Sequence, residues 1–294
     1  MTKETEINFS KQFYKYVQLA RIDRPVGYLL LLWPTFWGLW MAEEGLPDLG
    51  RLIIFTLGVF AMRSAGCIIN DIVDRNYDKN VVRTSTRVLA TGEVSLTEAY
   101  LLLFGLLALS LSLLVSLNEL AVSIALIAGI FVAVYPFFKR FFPLPQAILG
   151  ISFGFGILMA FADTKGVIDP IAWTLFVANF FWAIAYDTAY AMMDKEDDLK
   201  LGLKSSAITL GKNNTLAIYM SHSIFMVLMI APISLMSFGF IYGISWLLAG
   251  IYSFYLLVSL SKKNMDSFFN FFNKSHRVGA ILFFGMFLDL SINF

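Results

Sequence analysis

From residue 26 onward the chain is a succession of apolar runs separated by short polar stretches. Nine runs are read: about 26–42, 50–70, 98–116, 120–138, 144–162, 170–186, 215–232, 239–260 and 278–293. Each can cross about 30 Å of hydrocarbon as an α-helix, the structure that pairs its backbone within one segment. Hydrophobic residues make up 58% of the 294, and charged ones 15%, against about 25% charged in soluble domains. One water-facing core cannot hide so much apolar surface. A soluble globule, a disordered chain and a fibre are excluded, leaving an all-α polytopic membrane protein of nine transmembrane helices. Asn118-Glu119 alone separates two runs, so 98–138 is expected to form a tight hairpin, and Pro170 suits a helix start.

The basic residues set the orientation. Nineteen Lys and Arg fall on one side if the N-terminus is inside: the segment before residue 25, then 71–97, Lys139-Arg140, 187–212 and 261–277. Only Arg51 and Lys165 fall outside, and Arg63 lies within a span. This asymmetry predicts a cytoplasmic N-terminus and an outward C-terminus. Residues 1–25 lack the apolar stretch of a signal peptide, so the first span is expected to stay and direct insertion. Nothing in the pattern divides the chain, and 1–294 is read as one integral-membrane domain with a cytoplasmic N-terminal segment. A net charge of +1 offers no field for nucleic acid, and one cysteine, Cys67, excludes a disulfide framework.

The two longest loops, about 71–97 and 187–212, share the inside face and carry clustered acids. Asn70, Asp74 and Asp78 are four apart and fall on one helical face, with Asp71 pointing elsewhere. Asp194 and Asp198 repeat that spacing, and Asp187, seven residues earlier, falls near the same face. Stacked carboxylates repel unless a cation sits among them. Asp74 and Asp194 are 120 residues apart, as are Asp78 and Asp198, and each cluster leads into a basic stretch ending in Gly92 or Gly211. The pattern reads as a diverged duplication. Carboxylates and an amide are hard oxygen ligands suited to Mg2+, which also accepts substrate phosphates. Two facing clusters could hold a diphosphate through Mg2+, with interleaved Lys and Arg on its outer oxygens.

These residues resemble a known family. Asn70-x-x-x-Asp74-x-x-x-Asp78 is similar to the first signature of the intramembrane aromatic prenyltransferases, and Asp194-x-x-x-Asp198 to the second. RPVGYLLLLWPTFWGLW (24–40), RSAGCIINDIVDRNYD (63–78), YPFFKRFFPLPQAILG (135–150) and YDTAYAMMDKEDDLKLGLKSSAITLG (186–211) extend the likeness through most of 21–212 and toward the 4-hydroxybenzoate branch. One departure is Arg87-Val88-Leu89-Ala90-Thr91-Gly92, where a run like RPLPSG is expected. The resemblance implies a nine-helix bundle around a central cavity, with a cytoplasmic mouth and lateral access from the lipid of a bacterial inner membrane. Its substrates would be polyprenyl diphosphate and 4-hydroxybenzoate, and its cofactor Mg2+. Its product would be 3-polyprenyl-4-hydroxybenzoate, in ubiquinone biosynthesis.

Asn70, Asp74, Asp78, Asp194 and Asp198 are thus the candidate catalytic and metal-binding set, with Asp71 and Asp187 as further ligands or helix caps. Lys79, Arg83, Arg87, Lys195 and Lys204 are candidate diphosphate contacts; membrane topology explains each of them as well. Arg63, about two turns inside the membrane, either pairs with an Asp or meets a substrate anion, unless it snorkels. Arg140 is a candidate for the hydroxybenzoate carboxylate or an interfacial anchor. Tyr190 is a candidate cation-stabilising ring or an aromatic-belt residue. A sister enzyme acting on dihydroxynaphthoate would share this chemistry. A transporter would carry its acids nearer mid-membrane, and a scaffold gives no reason for two matched clusters.

Overall fold

The computed structural model describes residues 3–236 and 238–293 and is helical throughout. The helices are α1 (Lys3–Leu19), α2 (Val26–Glu43), α3 (Leu49–Asp78), α4 (Leu96–Leu114), α5 (Glu119–Phe138), α6 (Pro145–Lys165) and α7 (Pro170–Ala191). They continue as α8 (Lys195–Lys200), α9 (Ser206–Thr209), α10 (Asn214–Leu228), α11 (Ala231–Leu235), α12 (Phe240–Ser259) and α13 (Met265–Asn293). Among the described residues, seven segments are long and apolar enough to cross a membrane: α3, α4, α5, α6, α10 with α11, α12, and α13. α2 and α7 are 18 and 22 residues long but richer in Trp, Tyr and polar residues, and they lie innermost. The all-α polytopic reading holds.

Local signals explain the boundaries. Ser95 and Glu98 form a reciprocal capping box at the start of α4. Asn118 caps α5 by accepting from the Ala121 amide at 2.8 Å. Pro145 and Pro170 open α6 and α7, where a missing amide costs nothing. Two expectations are corrected. α3 does not stop at the membrane exit: it runs unbroken to Asp78 and carries the whole first cluster as helix. α13 likewise begins at Met265, so Lys274 and Arg277 are helical. The segment before residue 25 contains helix α1.

α2 and α7 build the core. Trp37, Trp182 and Phe225 are fully buried, with ring centroids 5.3–6.0 Å apart across α2, α7 and α10. The Trp37 indole donates to the Gly279 carbonyl at 3.2 Å, tying α2 to α13. α6 lies against α2, α5 and α7, and meets α2 and α7 through glycines. A Cβ on Gly38 would lie 2.7 Å from the Ile157 Cα, and one on Gly154 would lie 2.5 Å from the Phe176 ring. Such close approach is how helices associate where lipid removes most of the hydrophobic driving force.

α4 and α5 do not form the tight hairpin expected. α4 packs on α3, and α5 on α6 and α3, so the pair diverges from a shared turn and few residues of either are buried. At the end opposite the acid clusters, Arg51 donates to Asp163 at 2.9 Å and to Glu43 at 3.0 Å. Asp163 also accepts from the Asn118 amide at 3.0 Å. This knot holds three helix connections together.

Gly38→Ala should lower stability by about 1–3 kcal/mol, because the clash is with backbone that cannot rotate away. Gly105→Ala on α4, whose Cβ would meet nothing within 4 Å, should melt at or above the wild-type temperature. Thermal unfolding of the two detergent-purified variants checks both.

Candidate active site

Both acid clusters border one cavity of about 1090 Å3. Its mouth lies where α3 ends and α8 begins. Its depth is walled by α2, α3, α4, α5 and α6, with Gly58, Gly66, Gly129, Leu114 and Phe155 among the apolar residues. The diverging α4 and α5 therefore create the space rather than closing it.

Asn70, Asp71, Asp74 and Asp78 all face this cavity from α3. Asp71, Asp74 and Asp78 are buried, and a buried carboxylate is tolerated only with a partner. Lys139, at the end of α5, forms an ion pair with Asp74 Oδ2. Arg87 Nη1 donates to Asp71 Oδ1 at 2.9 Å and to Asp78 Oδ2 at 2.8 Å. Asp71 therefore does not point away from the cluster, because one guanidinium joins it to Asp78. The altered run from Arg87 to Gly92 keeps this geometry: Val88 and Leu89 are buried beneath it, and the turn closes with Gly92 at φ +83°. A left-handed backbone of this kind favours glycine.

The second cluster sits on a broken helix. α7 ends at Ala191 and α8 starts at Lys195, so Asp187 and Asp194 do not share a continuous helical face as expected. Asp187, Tyr190, Asp194 and Asp198 nonetheless all line the cavity. Arg83 bridges the clusters: it comes from the loop after α3, donates through Nε to Asp194 Oδ1 at 2.7 Å, and makes a second, shorter contact to Oδ2. Its Nη1 reaches the Tyr190 hydroxyl at 2.5 Å, and its Cζ lies 4.7 Å from the centre of the Tyr190 ring. The Val82 amide donates to Asp197 Oδ2 at 3.2 Å, clipping the same loop to α8. Burial, and next the charge of Asp194, pushes the Asp198 carboxyl up to about 6. A carboxylate so placed gains from an added cation.

The other expected cations divide. Lys204 lines the mouth. Lys79 is exposed, and neither it nor Lys195 borders the cavity. Arg140 does not border it either: its guanidinium lies over Tyr77 and Phe137 at 5.4 and 5.2 Å and donates to the Val73 carbonyl at 3.0 Å. Arg63 sits deep in the cavity wall. A Cβ on Gly27 would lie 2.4 Å from its Nη2, so that glycine makes room for the guanidinium. Arg63 Nε is buried without a hydrogen-bond partner, and the Phe153 ring lies 5.6 Å from Cζ. Sequence reasoning missed Lys139, Arg21 and Gln146 as cavity residues. Lys139 stood beside the chosen Arg140, and its position one helical turn after Tyr135 was the available signal.

Hard oxygen donors are present at the mouth, and Asp74 Oδ1 is buried and accepts no hydrogen bond, with the Arg140 guanidinium 4.0 Å away. Among the described residues no three acidic or imidazole side chains converge as a ready-made ion cage. That suits Mg2+, which is held by one or two carboxylates together with substrate phosphates rather than by an all-protein shell.

The profile of the UbiA prenyltransferase family matches residues 31–276. Two "4-hydroxybenzoate octaprenyltransferase" relatives are close in sequence. That of Nitrosomonas eutropha is 45% identical over 97% of this chain and all of its own. That of Nitrosospira multiformis is 46% identical over 96% and 98%. Among solved structures, a UbiA homologue from Aeropyrum pernix superposes with a TM-score of 0.79 at 25% identity, covering 89% of this chain and 97% of its own. A homologue from Archaeoglobus fulgidus bound to GPP and Mg2+ gives 0.67 at 25% identity, covering 91% and 99%. With two acid clusters on one cavity and a profile match over most of its length, the chain belongs to the UbiA prenyltransferase family.

Proposed function

We propose that this chain transfers a polyprenyl group from polyprenyl diphosphate to the ring carbon ortho to the hydroxyl of 4-hydroxybenzoate, yielding 3-polyprenyl-4-hydroxybenzoate and diphosphate. The observation that carries this reading is the convergence of two acid clusters, 120 residues apart, on one end of a cavity whose remainder is apolar. The full-length identity to hydroxybenzoate octaprenyltransferases supports the acceptor and the place in ubiquinone biosynthesis.

In this reading Asn70, Asp74, Asp78, Asp194 and Asp198 hold Mg2+ against the donor's diphosphate. The metal, when bound, supplies neutralisation of the charge that grows on the leaving group. Arg83, Arg87, Lys139 and Lys204 bind the outer diphosphate oxygens, Arg83 and Arg87 by turning from the carboxylates they now hold. The allylic C–O bond breaks and its electron pair leaves with diphosphate. The ring carbon supplies the pair of the new C–C bond, and the ring proton is then lost. Tyr135, Tyr186 and Tyr190 present aromatic faces to the positive charge developing on the allylic carbon. Arg63, seven residues before Asn70 on α3 and so about 10 Å deeper, takes the acceptor carboxylate, with Asp187 nearby. The isoprenoid tail occupies the apolar depth and the space between α4 and α5.

The same reading makes 1–294 one domain of nine spans in a bacterial inner membrane, with α2 and α7 as the two that are less apolar than the rest. The N-terminus and cavity mouth are cytoplasmic and the C-terminus periplasmic, supported by nineteen basic residues on the mouth side.

Membranes carrying the protein, given polyprenyl diphosphate and 4-hydroxybenzoate, should form prenylated hydroxybenzoate only with Mg2+, followed by mass. Asp74→Asn and Asp194→Asn should each lower kcat/KM by about 100-fold or more. Product from dihydroxynaphthoate alone would move the protein to a sister reaction. Lys139→Ala should lower kcat/KM by about tenfold or more, through the lost charge at the diphosphate. Lys79→Ala, at an exposed residue outside the cavity, should remain within about threefold of wild type. Alkaline phosphatase fused after Phe294 should be active, and fused after Lys212 inactive; the reverse pattern would overturn the orientation.

A further inference from the structure

Arg21 borders the cavity from the connection between α1 and α2, outside the helices that carry the two acid clusters. It lies just past the C-terminus of α1 with φ +62°, a left-handed conformation that side-chain-bearing residues rarely adopt. The turn aims its guanidinium inward. Nη1 donates to the Gln18 carbonyl at the end of α1 at 2.8 Å, a favourable place for a cation. Nη2 donates to both carboxylate oxygens of Asp71, at 2.9 and 2.7 Å. Asp71 is only 2% exposed. α1 is itself fastened to the bundle: Tyr16 and Gln12 donate to Glu98 at 2.6 and 2.9 Å.

Asp71 thus has two guanidinium partners, and one of them is shared. Arg87 Nη1 divides itself between Asp71 and Asp78. The proposed function requires Arg87 to turn toward a diphosphate. If Arg87 were the sole partner of Asp71, that turn would strand a buried carboxylate, and the carboxylate would hold Arg87 back. We propose that Arg21 is a positioning residue for the transfer reaction, the standing counter-ion of Asp71 that releases Arg87 to hold the donor's diphosphate. The inference rests on the prenyltransferase reading above. It adds a role for α1, which fixes the charge balance of the first cluster from the membrane surface.

The test uses full-length protein in detergent with polyprenyl diphosphate, 4-hydroxybenzoate and Mg2+. Arg21→Asn keeps a residue that tolerates the left-handed turn and removes the cation. It should raise KM for polyprenyl diphosphate by about tenfold or more, leaving kcat and KM for 4-hydroxybenzoate within about threefold. Arg21→Lys, with charge but no fork, should fall between. The double variant Arg21→Asn/Asp71→Asn removes the stranded charge together with its partner, and should bring the donor KM back to within about threefold of wild type. A merely structural Arg21 would instead lower the melting temperature and kcat together, with no rescue by the second substitution, and that result overturns the proposal. An unchanged donor KM in Arg21→Asn overturns it too. Wild-type protein without Mg2+-dependent transfer would remove the prenyltransferase reading first and this inference with it, so the two failures are distinguishable.

Discussion

Every buried carboxylate at the mouth of this cavity needs a positive partner, and much of that end of the molecule is arranged to provide one. At an effective dielectric of about 20, two like charges 4 Å apart repel by about 4 kcal/mol. Two acid clusters brought to one place would push their helices apart. Arg83 is held by Asp194, Arg87 by Asp71 and Asp78, Lys139 by Asp74, and Arg21 by Asp71. The Arg83, Lys139 and Arg21 bonds also join pieces of chain that are otherwise far apart. The Arg83 pair closes the loop after α3 onto α8, and the Lys139 pair brings the end of α5 to α3. The electrostatic requirement and the assembly of the site are therefore one problem. It follows that the carboxylates are engaged with cations before substrate arrives. On the proposed function, an incoming diphosphate with its Mg2+ exchanges partners within a network whose net charge is already balanced.

The apolar half answers a different constraint. Lipid gives helices little reason to associate by hydrophobicity alone, so contact depends on shape. The inner helices α2 and α7 carry the large fully buried rings, Trp37 and Trp182. Glycines on α2, α6 and α13 let other helices approach where side chains would collide. The outer helices α4 and α5 contribute little to this core, and the space they leave becomes part of the cavity. The knot of Arg51, Glu43, Asp163 and Asn118 holds the far end together, so the divergence of α4 and α5 along their length does not become separation at their turn.

Much of the architecture was readable because hydropathy and charge asymmetry are summed over long segments. The start of α7 at Pro170 and the positions of both acid clusters at span ends are properties of local sequence. What escaped was non-local. The length of α3 beyond the hydrocarbon could not be read from hydropathy, because residues 71–78 are polar and become helical by packing into the mouth. The break between α7 and α8 carries no proline or glycine to mark it. The choice between Lys139 and Arg140 depends on the rotation of α5, which is fixed by what it packs against. Arg21 was invisible as a cavity residue because its side chain reaches Asp71 across 50 positions.

The depth of Arg63 follows from the presence of two anions in the proposed reaction. A guanidinium within a membrane span is costly and persists where it has an anion to meet. The cations at the mouth would attract the carboxylate of an aromatic acid as readily as a diphosphate, and an acceptor bound there would present its ring far from the allylic carbon. A separate cation about 10 Å deeper along α3 gives the acceptor its own anchor and leaves the mouth to the donor. Arg63 Nε has no hydrogen-bond partner, and Gly27 clears the space beside the guanidinium. Arg63 Nε thus lacks a hydrogen-bond partner, whereas Arg83 and Arg87 already hold carboxylates, and a carboxylate arriving at Arg63 has less to displace. In the proposed reaction, the division between a mouth whose cations already hold carboxylates and a depth whose guanidinium has an open donor sorts the two substrates by position, as joining one end of each requires.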